Sequence, residues 1–209
     1  MSNVIPMLNA VSEETVHHYA LNSGILAHSF DFEGVTSAET FLAKVKDEAF
    51  AANLFGATQG STSISENRSY WSPDHNGKRN PTVGQSFPDT AEPSISATLV
   101  EMTPANIKLT SGVADVTGEG TTAITIQPRA TIKEGDYLPN VIWFTNYANK
   151  GIIGAVIDNA LCTTGMNWSV DDKKIATCKV EFKAHSKSLL FNDDLPIRYF
   201  LYLNEGSQE

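Results

Sequence analysis

The chain has 209 residues, of which 41% are hydrophobic and 19% charged, enough to bury a core and best read as one domain. Fifteen basic residues against twenty-four acidic ones leave a formal charge of −9, which argues against a surface built to grip nucleic-acid phosphate. No apolar run is long enough to span a membrane and no basic n-region marks a signal peptide, while Cys162 and Cys178 are too few and too far apart for a zinc site, so both are expected as small core hydrophobes.

Residues 1–15 carry little periodic pattern and are expected to form an arm; the domain is expected to span 16–203, with 204–209 a short polar tail. Val16–Leu21 and Ile25–Phe32 flank Asn-Ser-Gly, which predicts a hairpin turn, with Leu26, His28, Phe30 and Phe32 on one face of its second strand. Thr36 and Glu39 offer a capping box to a helix over AETFLAKVKDEAFAANLFG, with Phe41, Leu42, Val45, Ala49 and Ala52 as its apolar stripe and Gly56 as its stop.

From Ala57 to Glu92 the texture turns polar. A strand is expected within Ser61–Trp71, followed by turn chemistry at Asp74-His-Asn-Gly77, then Lys78 and Arg79. This long loop, about 57–92, is read as a projecting hairpin whose tip, Ser72 with residues 74–79, orders against a neighbour.

Next, Ile95, Ala97 and Leu99 alternate with Ser94, Ser96 and Thr98, the pattern of a strand with one buried face. Glu101 closes it. Thr103 is placed as N-cap and Pro104 at the first position of a short helix that sends Ile107 and Leu109 coreward, and Gly112 ends it. Further strands are expected at Thr122–Pro128, Val141–Tyr147, Ile152–Cys162, Met166–Val170, Ile175–His185 and Ile197–Leu203. In Ile175–His185, Ala176, Cys178, Val180, Phe182 and Ala184 oppose Thr177, Lys179, Glu181, Lys183 and His185. The whole is a mainly β chain: an antiparallel sandwich or barrel of two packed sheets with one or two flanking helices.

Signs of chemistry fail on context. Gly118-Glu-Gly120-Thr-Thr-Ala123 has the letters of a dinucleotide loop, but the β-branched run TAITIQP follows where a helix is required. His17 and His18, near Glu13 and Glu14, have no third metal ligand anchored beside them. His185 has no placed nucleophile, and Asp171-Asp172 and Asp193-Asp194 read as solvated turns. Trp71, Trp143 and Trp168 lack the basic neighbours of a base-stacking set. No catalytic, cofactor or metal site is expected, and the chain is not expected to be an enzyme.

The strand-to-helix element ending in Leu99-x-Glu101-x-Thr103-Pro104 and continuing Asn106-Ile-Lys-Leu109 resembles that of the tailed-phage tail tube proteins. Phe55-Gly-Ala-Thr-Gln-Gly60 is similar to that family's entry into its long hairpin, and SYWSPDHNGKRNPTVGQ to the hairpin tip. Asp158-Asn-Ala-Leu-Cys-Thr-Thr-Gly165 resembles its Asn-Ala turn before a strand, a turn and a long strand ending Phe182-Lys-Ala-His185. These likenesses run in order over about residues 54–185, although the predicted helix near 37–52 is longer than the family pattern.

The resemblance implies six-subunit rings whose inner sheets join as one barrel, and rings stacked into a virion tail tube made in the host cytoplasm. DNA would pass through without specific binding. Tape-measure, tail-terminator and baseplate proteins would be partners, and no membrane would be involved. The long loop, with Ser72, Asp74, His75, Asn76, Gly77, Lys78 and Arg79, would touch the next ring. Either Ser94, Ser96 and Thr98 or Thr177, Lys179, Glu181 and Lys183 would line the lumen; a ring of lysines would hold phosphate, so the Ser/Thr set is expected inside and the lysine-bearing strand elsewhere. Two other readings are a monomeric β-sandwich module that binds a carbohydrate or other ligand, and a hydrolase using His185 or the paired aspartates.

Overall fold

The computed structural model describes residues 19–74, 80, 83–118, 120, 122–148, 150–187 and 194–204. Its first elements are β1 (Ala20–His28), α1 (Ala38–Val45), α2 (Glu48–Ala51), β2 (Ser63–Ser65), β3 (Arg68–Trp71), β4 (Phe87–Ala91), β5 (Ser94–Leu99) and α3 (Pro104–Thr110). There follow β6 (Ala114–Thr117), β7 (Thr125–Pro128), a 3-10 turn at Glu134–Asp136, β8 (Leu138–Tyr147), β9 (Gly151–Cys162), β10 (Trp168–Ser169), β11 (Thr177–Lys183) and β12 (Ile197–Leu203). The chain is mainly β.

The run that becomes β9, GIIGAVIDNALC, has no polar side chain before Asp158, a composition that calls for cover on both faces. It is the shared strand of an eight-stranded antiparallel sheet. Over Gly151–Ala160 it pairs with β8, and over Gly151–Ile157 its other edge pairs with β12. Beyond that point Leu161 and Cys162 pair with β11 instead. The sheet is thereby bent into two: sheet I (β1-β8-β9-β12) and sheet II (β10-β11-β5-β2). It does not close into a barrel, because β1 and β2 end the strand order.

Alternation along the strands builds two cores. Leu26, Val141, Ile157 and Ile197 of sheet I meet Ile95, Ala97, Leu99, Cys178, Val180 and Phe182 of sheet II. On the opposite face of sheet I, Ala27, Ile142, Phe144, Ile152 and Val156 meet Ala38, Phe41 and Phe50 of the helical segment. The layers therefore run helices, sheet I, sheet II. Both cysteines are buried and free, as expected.

Three local expectations are corrected. Asn22-Ser23-Gly24 is a bulge within β1, because the residues on both sides of it pair with β8 in one direction; Asn22 and Gly24 take left-handed φ of 72° and 77° to absorb the extra residues. At Ser29 (φ 53°) the strand stops, so Leu26 faces sheet II whereas Phe30 and Phe32 turn to the helix-side core. The long helix is two short ones. Ser37, not Thr36, is the N-cap, in a box closed by Thr40, and Asp47 starts α2 by accepting from Ala49 N. That restart changes the helical phase, so Ala38, Phe41 and Phe50 are buried while Leu42, Ala49 and Ala52 are exposed.

Around α3 the sequence reading holds: Thr103 Oγ1 accepts from Asn106 N, Pro104 opens the helix, and Gly112 has φ 71°. Leu109 packs against the core as expected, and the residues this helix buries outright are Asn106 and Thr110. The polar strand around Ser61–Trp71 is interrupted at Asn67 (φ 37°), separating β2 from β3. Arm 1–15, His17, His18, His75, Asn76, Gly77, Lys78, Arg79, Asp193 and tail residues 205–209 lie outside the described residues.

Candidate assembly surface

The outer face of sheet II is built by register. Lys179 pairs with Thr98, Glu181 with Ser96 and Lys183 with Ser94, while Ser63 pairs with Ser96 and Ser65 with Ser94. Directly opposed residues point to the same side of an antiparallel sheet. Ser63, Ser65, Ser94, Ser96 and Thr98 therefore share one face with Thr177, Lys179, Glu181 and Lys183, and Ser169 joins them by pairing with Thr177. This corrects the expectation that the lysine-bearing strand and the Ser/Thr strand would serve different surfaces. Pairing between segments so distant in sequence is what put them together.

The lysines do not make that face basic. Lys183 Nζ donates to Glu92 Oε2 at 2.9 Å, a bond that raises the lysine pKa and lowers that of the carboxyl. Glu181 stands between the two lysines on the strand, so Lys179 and Lys183 are matched by Glu181 and Glu92 and the formal sum is zero. Ser94 itself is buried beneath this layer, whereas Ser96 and Thr98 are half-buried.

Both lateral edges of sheet II are short. β2 pairs only with β5 and β10 only with β11 among the described residues. Among the described residues neither strand has a partner on its far side, and sheets leave such edges open only when a partner or a device deals with them. Past β2 the chain leaves the sandwich as the two-stranded arm β3–β4. Tyr70, Trp71 and Phe87 are exposed there, the last two with ring centroids 5.9 Å apart. Ser72 Oγ lies 3.2 Å from Ser86 Oγ and Asp74 is exposed beyond it.

The root of the arm is tied down twice. Glu101 Oε1 accepts from Ala57 N at 2.7 Å, and Gly56 has φ 79° with no room for a Cβ beside that carboxylate. Asn106 Nδ2 donates to Phe55 O (3.0 Å) and Glu101 O (2.9 Å) from a buried position. The Glu-x-Thr-Pro element is therefore a clasp on the segment that enters the arm, a role the sequence did not reveal for Asn106. On the far side, Glu66 meets Arg68 at 2.6 Å and lies near the Tyr199 phenol. The Tyr199 and Arg68 contacts lower the Glu66 pKa; burial and Glu66 raise that of Tyr199.

The other sequence candidates fall apart spatially. The strands before and after Gly118–Ala123, β6 and β7, pair antiparallel, so a strand and not a helix follows it. His185 Nδ1 lies 3.1 Å from Lys183 O and its ring meets Tyr137 edge-on. Asp171 pairs with Lys174 across a turn at 2.9 Å. Trp143 donates from Nε1 to Ser23 O, whereas Trp71 and Trp168 are exposed at opposite ends of the sheet II region. Among the described residues no group of three or more His, Cys, Asp or Glu is placed to hold a metal ion, and no helix is long and apolar enough to cross a membrane.

No protein-family model matches the chain, and no curated protein matches it. Among solved structures it is similar to a crystal structure of Hcp protein, with 14% identity and a TM-score of 0.32 over 78% of this chain and 88% of that one.

Proposed function

We propose that this chain is a structural, non-enzymatic subunit that closes into six-membered rings, and that the rings stack into a phage tail tube through which DNA passes. The observation that carries the reading is sheet II: four strands, each antiparallel to the next, open at both edges among the described residues, with a charge-balanced hydroxyl face. Rotation about an axis along the strands preserves strand direction. With an even number of alternating strands, β10 of one copy meets β2 of the next antiparallel, so the sheet can continue round a ring without a parallel joint. The order of motifs over residues 54–185 supports the same reading.

In such a ring the hydroxyl face lines the channel. Serine and threonine give it water-binding groups, and its lysines are offset by carboxylates, so phosphate finds no uncompensated positive ring to displace counterions. The β3–β4 arm, a two-stranded ribbon with little core of its own, takes its stability from the next ring. Tape-measure, terminator and baseplate proteins would meet the tube at its ends and interior.

Electron microscopy of the purified protein tests the reading. Rings and stacked tubes that grow with concentration are expected, and deletion of residues 74–79 should leave rings that no longer stack. A protein that stays monomeric at high concentration overturns it. The exposed Trp71–Phe87 pair would then favour the second reading, a monomeric sandwich that stacks a sugar ring on its aromatics.

A further inference from the structure

Sheet I presents, on the side that faces sheet II, a patch that sheet II does not cover. Tyr199 and Leu201 follow Ile197 at alternate positions of β12, so they point to the same face as that core residue. Yet they are 58% and 47% exposed. Ile64 of β2 packs on the core that holds Ile197, and Glu66, one residue past β2, interacts with Tyr199, so this bare patch lies on the β2 side of sheet II. At the opposite edge of sheet II, Trp168 pairs with the core residue Cys178 and so also points to the inner side. It too is unused by its own subunit, at 45% exposed.

We infer that Trp168 of one copy seats on Tyr199 and Leu201 of its neighbour. The inference rests on the ring reading and names its lateral contact. If β10 continues the sheet next to a neighbour's β2, both faces match across the joint. On the outer side Ser169 meets the row that carries Ser63 and Ser65. On the inner side Trp168 follows Ile64, which packs on the core, and comes to lie over the uncovered end of β12. A large aromatic dropped onto an apolar patch flanked by a tyrosine is the usual anchor of a protein interface. The same contact covers the only inner-face residues of β12 that its own fold leaves more than one-third exposed.

The test pairs Trp168→Cys with Leu201→Cys in one chain, and separately with Tyr199→Cys, and oxidises each assembled protein; native Cys162 and Cys178 are buried. A ladder of disulfide-linked multimers from at least one double variant, absent from each single variant, is the expected result. Trp168→Ala should keep its circular dichroism spectrum and need about tenfold more protein to assemble. Tubes without linked chains, linked dimers from Leu201→Cys alone, or normal assembly of Trp168→Ala overturn this contact and leave the ring reading standing. A wild-type protein that forms no rings overturns both.

Discussion

Sheet I packs on both faces, against α1 and α2 on one side and, except at the end of β12, against sheet II on the other, whereas among the described residues sheet II packs on one face only. Their strands differ accordingly. β8 and β9 bury successive residues, Val141 with Ile142 and Val156 with Ile157, while β11, and β5 from Ile95 onward, bury every second one. A two-sided strand is committed to the fold at each position. A one-sided strand leaves half its side chains free for work, and here those are hydroxyls with balanced charges. On the proposed function, that free face is the one sheet II turns to the channel, while sheet I carries the more continuous burial.

The sharpest way to break that comparison is to cut one residue from each side of it. Phe41 is fully buried under sheet I and its ring lies 4.8 Å from Phe30 and 5.0 Å from Phe144. Phe41→Ala should cost about 3–5 kcal/mol through lost transfer energy and a cavity. Ser96→Ala, on the outer face of sheet II, should change stability by less than about 0.5 kcal/mol. Urea unfolding measures both; equal losses would mean that the two sheets share the load.

A smaller effect is expected where sheet II hands over to the arm. Asn106→Ala removes two hydrogen bonds and leaves Phe55 O and Glu101 O without that donor. Stability should fall by about 2 kcal/mol. Because those carbonyls hold the segment entering the arm, proteolysis between residues 72 and 86 should accelerate before the subunit unfolds. Unfolding without earlier cleavage in the arm would make the clasp a general stability element.

The same contrast explains what could be read from the residues alone. β5 and β11 were legible because a half-buried strand writes its orientation as alternation, Ile95-Ala97-Leu99 and Cys178-Val180-Phe182. The bulge in β1 was not, since left-handed Asn22 and Gly24 serve a hairpin and a bulge equally well. In the helical segment the apolar residues fit one continuous phase on paper, and only the capping bond of Asp47 shows where the phase restarts. The candidate site was half legible. Each strand's polar face could be listed, but whether Ser96 and Glu181 look the same way depends on register between distant segments. Asn106 was hidden for a like reason: its partner is Phe55 O, and no local pattern announces it.

The two sheets should also respond to acid in different windows. His28 lies at the end of β1, its ring edge-on to Phe55 at 5.3 Å, and burial holds its pKa below the ordinary 6.5. The folded chain therefore takes up this proton later than the unfolded chain as pH falls. The unfolded state binds more protons in that interval, so stability is full above pH 6.5 and declines below it until the folded His28 titrates. Glu92, at the edge of sheet II, is shifted down from 4.5 by Lys183, so its contribution is present above 4.5 and lost only as pH falls through its lower folded value. Between about pH 7.5 and 5.5 the urea midpoint should thus drop through sheet I while the Glu92–Lys183 bond stays intact. His28→Phe should flatten that drop, and Glu92→Gln should not. A wild-type decline that survives His28→Phe unchanged would place the acid sensitivity elsewhere in the molecule.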